Sequence, residues 1–262
     1  MDHKTKLLFA CLMLLCLAGA DVFAQKLPNV QKTSVYAPAG IKIDGKTTEW
    51  NNTFQANNSA TAISYTMAND EENLYLAIQA TDGSIINKVL NGGIRIKVIG
   101  ANKAGQPVKL SAMLVKPIGH INVSQKLKDK GADTDSLINA LSTQVNNGIK
   151  DLYLTGVKDI ADTTLSVFNE YGVKQAIKFD INRAMNVEIA IPLKYISHLI
   201  IADNFKYNLM LPGINMGGIV KMNVNGVQTD VSTLIGMPGL SPNFQSMFTP
   251  TDFSGNYNLA KK

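Results

Sequence analysis

The chain has 262 residues, with 25 Lys and Arg against 20 Asp and Glu, a net charge of +5, and 45% hydrophobic residues. This composition suits a globular chain long enough to bury a substantial core. The basic excess is scattered, with no dense lysine or arginine cluster, and that argues for a solvated surface rather than nucleic-acid or membrane binding.

Residues 1–24 combine Lys4 and Lys6, an apolar run over residues 7–20, and small residues leading to Ala24. This is the layout of a secretory signal peptide, with cleavage expected after Ala24 and export to the periplasm, the outer surface or the extracellular space. The apolar run falls short of the about 20 residues a membrane span needs, so the mature chain is expected to have no transmembrane segment. Both cysteines, Cys11 and Cys16, lie inside this segment, and neither is preceded by the small residues of a lipoprotein acylation site. A mature chain without cysteine has no disulfide, no thiolate metal site and no cysteine nucleophile.

Residues 25–40 are polar, carry Pro28, Pro38 and Gly40, and read as a leader to one domain over residues 41–262. Ile41 and Ile43 alternate with Lys42 and Asp44, which predicts a first strand ended by a turn at Asp44-Gly45. Trp50, the single tryptophan, follows at once and is expected in the core rather than as a sugar-stacking platform. Ile63, Tyr65 and Met67 alternate next, and Leu74, Leu76 and Ile78 alternate after them with their faces toward a core. Between the two lie Asn69, Asp70, Glu71 and Glu72, expected on an exposed connection, so a β-hairpin results.

Asp82-Gly83 and Asn91-Gly92-Gly93 read as the ends of a loop. Ile94, Ile96 and Val98 then alternate as a strand, and Val108, Leu110, Ala112 and Leu114 as another. A lysine-rich region over residues 126–130 breaks this rhythm. Leu137, Ile138, Leu141 and Val145 share a helical face, with Asp133 or Thr134 as the cap and Gly148 as the stop. Leu152 and Leu154 resume strand character, while residues 163–181 read equally as helix or strand. Val187, Ile189 and Ile191 form a strand that Pro192 halts, and Pro192 can begin a helical turn through Leu193, Ile196 and Leu199. Phe205, Tyr207, Leu209 and Leu211 make a further strand, and Asn225-Gly226 marks a second hairpin. The tail after Pro238, rich in Pro, Gly, Ser and Asn, is expected to run over the surface.

About ten short strands predict an all-β fold, a two-sheet antiparallel β-sandwich with one or two short helices. Three sequence features also carry a resemblance: Asp44-Gly45 with Glu49-Trp50, Asn69-Asp70 leading into residues 73–76, and Val-Glu-Ile-Ala-Ile-Pro-Leu over residues 187–193. In this order they resemble the carbohydrate-binding family 9-like sandwich domains, relatives of the DOMON group. The resemblance implies an immunoglobulin-like or jelly-roll-like sandwich of an exported protein, and a poly- or oligosaccharide partner. The sugar-binding members clamp a terminal sugar with two tryptophans, whereas this chain has one. Tyr153, Tyr171 or Tyr257 would have to supply the flat apolar face instead.

Other chemistry is sparse. The mature chain has only His120 and His198, and no Gly-x-Ser-x-Gly elbow, phosphate loop or dinucleotide fingerprint. Asp70, Glu71 and Glu72 offer hard oxygen ligands but read as solvated turn carboxylates. The DOMON group suggests haem, yet the methionines are scattered as core filler and no cofactor is expected. The chain is therefore expected to be a non-catalytic, carbohydrate-binding-like module. The alternative is a structural or protein-interaction domain of the cell envelope that has kept the sandwich without a sugar site. No catalytic or metal residue is assigned, and ligand choice is expected in residues 117–185 and from 238 onward.

Overall fold

A computed structural model describes residues 26–101, 107–115, 123, 134–157, 159–161, 164–214, 221–224, 227–230 and 242–262. The expected signal peptide, His120, residues 126–130 and Asp133 lie outside these residues. The chain is mostly β, with antiparallel sheets and three α-helices among the described residues.

One sheet has five strands in the order β1 (Ala56–Asn58), β2 (Ile63–Asn69), β3 (Asn73–Ala80), β9 (Met185–Pro192) and β8 (Lys174–Phe179). The other has six: β13 (Thr251–Asn258), β10 (Asn204–Leu211), β4 (Ile94–Ala101), β5 (Pro107–Val115), β6 (Asp151–Thr155) and β7 (Thr164–Ser166). A separate hairpin pairs β11 (Lys221–Val224) with β12 (Val227–Asp230), as the Asn225-Gly226 signal predicts. The helices are α1 (Gly83–Gly92), α2 (Thr134–Gly148) and α3 (Pro242–Phe248).

The predicted β2–β3 hairpin forms, with Tyr65 opposite Ile78 and Met67 opposite Leu76. The β3–β9 register adds Val187, Ile189 and Ile191 to the same face. From the six-stranded sheet come Ile94, Ile96, Val98, Phe205, Tyr207, Leu209 and Leu211, and the inward residues of both sheets belong to one buried apolar cluster. Where they meet, the Tyr65 and Tyr207 hydroxyls lie 2.8 Å apart, and the Tyr65 ring packs on Phe253 at 4.9 Å. α2 presents Ile138, Leu141 and Val145 to this core, as its spacing predicts. Its Ser142 and Asn146 also bond the backbone of Phe179 and Ile177 on edge strand β8. That satisfies groups which would otherwise invite another strand.

Several expectations change. Residues 83–92 are a helix, not a loop, because Asp82 is an N-cap whose carboxylate accepts from Ser84 and Ile85 N–H, and Gly93 takes a positive φ of 82° just beyond the end. Ile85, Ile86, Val89 and Leu90 make its buried face, and Lys88, 0% exposed, donates to the Thr249 carbonyl and the Thr251 hydroxyl. Residues 41–44 form no strand; Ile41 and Ile43 pack, partly buried, on the cluster around Trp50. Asn69 is buried rather than exposed. The helices number three among the described residues, against an expected one or two. The ambiguous segment 163–181 supplies β7 and β8. Finally, the expected surface tail contains α3 and β13. β13 pairs along its length with β10 and buries Phe253 and Tyr257, while Asp252, Ser254, Asn256 and Asn258 face outward.

Candidate functional site

The three sequence features converge on the outer face of the five-stranded sheet. There Ala68, Tyr75 and Ala190 form one rung, and Ala77 lies opposite Glu188 in the next. Small side chains leave a shallow trough, and residues 35–54 fill it. Trp50 sits in this trough, 5% exposed, with its ring edge toward Tyr75 at 6.4 Å. Its indole N–H donates to Glu188 Oε1 at 2.8 Å, while Glu188 Oε2 accepts from Asp44 N–H at 3.0 Å and Gly45 N–H at 2.8 Å. Glu188 is 1% exposed, and burial pushes its carboxyl up from the ordinary range against the pull of those three donors. Gly45 takes φ +79°, and a Cβ there would lie 2.7 Å from the Lys178 backbone nitrogen. The turn therefore needs glycine for both conformation and space.

The acidic turn is largely consumed by its own fold. Asp70 Oδ1 accepts from Glu72 N–H and Asn73 N–H at 2.8 and 2.7 Å, and Oδ2 accepts from the Tyr75 hydroxyl at 2.7 Å. Burial, aided by Asp70, pushes the Tyr75 phenol up to about 12. Asn69 ties the C-terminal segment to this turn: its Oδ1 accepts from Tyr257 Oη and Ala260 N–H. No cluster of three or more His, Cys, Asp or Glu able to hold a metal occurs among the described residues.

Beside this turn opens a cleft of about 610 Å³, lined by Glu72, Asn73, Glu170, Tyr171, Lys174 and Lys194 among others. The Leu193 N–H donates to the Glu72 carbonyl at 2.7 Å and so joins the end of β9 to the turn. Tyr171, half-buried, stands edge-on to Tyr195 at 6.3 Å, and Lys194 Nζ lies 4.8 Å from the Tyr195 ring centre. The loop bearing Tyr171 is braced from within: Asn169 Nδ2 donates to the Ser166 and Val173 carbonyls at 2.9 and 2.8 Å. On this loop Phe168 is 92% exposed. An aromatic wall beside carboxylates, an amide and ammonium groups can stack on a sugar ring and bond its hydroxyls.

Of the three tyrosines weighed as platforms, the fold brings only Tyr171 to this cleft. Tyr257 is buried, with its hydroxyl on the Val35 carbonyl and Asn69, so it cannot stack on a ligand. Tyr153 lies half-buried on the outward side of β6, opposite Met113 and Thr164. His198 is exposed on the second of two 3₁₀ turns, Leu193–Tyr195 and Ser197–Leu199. The exposure of Phe168 is not legible in the sequence because its segment carries no dominant period. The one available signal was a large apolar residue followed by Asn-Glu.

No protein-family model matches the chain, and no curated protein matches it significantly.

Proposed function

We propose that this protein is an exported, non-catalytic, carbohydrate-binding-like module whose ligand lies in the cleft at Tyr171. On this reading the two sheets form an immunoglobulin-like or jelly-roll-like sandwich of the carbohydrate-binding family 9-like kind. The observation that carries it is the pairing of the Tyr171 ring with Glu72, Asn73, Lys174 and Lys194 in one open cleft. Such a cleft, open along one side, takes a stretch of poly- or oligosaccharide rather than a buried small molecule. Glu188, the deeply buried carboxylate, has both oxygens engaged in the scaffold and is not offered to a substrate.

Calorimetry against plant and bacterial polysaccharides tests the proposal. Saturable binding that Tyr171→Ala abolishes supports it, and silence across a broad panel defeats it. Release of reducing sugar by the purified protein would overturn the non-catalytic part. A second reading, an interaction domain of the cell envelope, is favoured by the burial of Trp50, which leaves no tryptophan clamp for a sugar. The exposed Phe168 would then be a protein contact, and Phe168→Ala would weaken partner binding without touching glycan binding.

A further inference from the structure

The outward face of the six-stranded sheet gathers cations that are far apart in sequence. The inward residues Ile94, Ile96, Val98, Phe205, Tyr207 and Leu209 are buried, which fixes the parity of both strands. Arg95 and Lys97 on β4, and Lys206 on β10, therefore point the other way, half-buried or exposed. The register sets Lys206 opposite Ile99, Asn208 opposite Lys97 and Met210 opposite Arg95. Lys97 is thus the diagonal neighbour of Lys206, about 7–8 Å away, and lies about 6.8 Å along β4 from Arg95.

Like charges this close on one sheet face repel one another. Among the described residues no carboxylate pairs with Arg95, Lys97 or Lys206. The one acid that β4, β10 and β13 place on this face is Asp252, and its Oδ2 accepts from Asn208 Nδ2 at 2.6 Å. We propose that this face is a binding surface for an acidic polysaccharide, separate from the Tyr171 cleft. Register positions about 7 Å apart along and across the strands spread these cations over the ladder, which matches a repeating anion and not a single one. Ser254 and Asn256 on β13 add exposed hydroxyl and amide groups suited to sugar hydroxyls. The outward positions of β4, β10 and β13 hold no aromatic residue, and Tyr153, on the outward side of β6, lies two strands away from β4, so the cationic stretch itself has no platform for stacked bases. That favours an acidic glycan over single-stranded nucleic acid.

The test is binding of the full mature chain to immobilised polygalacturonate, with dextran as the neutral control and duplex DNA as competitor. Wild type should bind polygalacturonate and not dextran. Raising ionic strength from about 0.05 to about 0.5 M should release it, because screening shortens the reach of each charge. Arg95→Gln/Lys97→Gln/Lys206→Gln should lower the affinity at least about tenfold and flatten the salt dependence. The single Lys206→Glu variant, at an exposed position, gives the same direction if the triple variant fails to fold. Tyr171→Ala should leave this binding unchanged, which separates failure here from failure of the cleft. Equal binding to dextran, full affinity in the charge variants, or tighter binding to DNA would each overturn the proposal.

Discussion

The outer faces of the two sheets have opposite fates. On the five-stranded sheet the outward rungs carry Ala68, Tyr75, Ala77, Glu188 and Ala190, and residues 35–54 lie over them with Trp50 at the centre. On the six-stranded sheet the outward positions of β4, β10 and β13 carry Arg95, Lys97, Lys206, Ser254 and Asn256, which are half-buried or exposed, and Asn208, which is buried where it bonds Asp252 and Ser254. Strand alternation alone gives each sheet a second face. The size and charge of the residues on it decide whether the chain covers that face or leaves it to solvent.

The largest effect that would break this contrast is Trp50→Ala. The tryptophan is 5% exposed, and its removal empties the middle of the covered face. The expected loss is about 3–5 kcal/mol in chemical denaturation. A change below about 1 kcal/mol would mean that the covering segment is not part of the cooperative fold.

Glu188→Gln should cost less, about 1–3 kcal/mol, because an amide cannot accept from all three donors and leaves one buried N–H unpaired. The pH dependence has a defined sign. With its carboxyl raised by burial, native Glu188 keeps its proton in a window where the unfolded chain has lost it. Its contribution is therefore full below the ordinary carboxylate pKa and is lost as pH rises through the raised value. Denaturant midpoints measured across that window should fall with rising pH in wild type, and this component should vanish in Glu188→Gln.

Gly255→Ala probes the inward side of β13. A Cβ at Gly255 would lie 2.5 Å from the Tyr207 hydroxyl, which is itself bonded to Tyr65. The crowding should cost about 1–3 kcal/mol in thermal or chemical melts.

These residues also show what the sequence could and could not disclose. Tyr65, Leu76, Ile189 and Leu209 were legible as inward residues because a period of two survives in any half-buried strand. Helix α1 was not, since Asp82-Gly83 and Gly92-Gly93 are turn signals in isolation and become a cap and a stop only with a tertiary face for Ile86 and Val89. β13 hid because its outward residues and Gly255 give it the composition of a loop, and only the apposition of β10 makes it a strand. Burial of Trp50 was legible, but its bond to Glu188 joins residues 138 positions apart, and only the folded sheet brings them together. The same holds for the cleft. Tyr171 looked equivalent to Tyr153 and Tyr257 until the fold buried one and set another on a different sheet. The cations at 95, 97 and 206 are scattered in the sequence, and strand pairing collects them.

The smallest predicted effect tests the open face. Lys97→Ala and Lys206→Ala remove outward side chains that have no carboxylate partner among the described residues, so each should change stability by no more than about 0.5 kcal/mol. Relief of like-charge repulsion makes slight stabilisation the expected sign, and added salt should shrink the difference, since it screens the same repulsion in wild type. The paired change Lys97→Ala/Lys206→Ala should then stabilise by less than the sum of the singles, because each removes the same repulsive contact. A loss above about 1 kcal/mol in either single variant would show that the side chain packs under covering chain. The contrast between a covered and an open sheet would then have to be withdrawn.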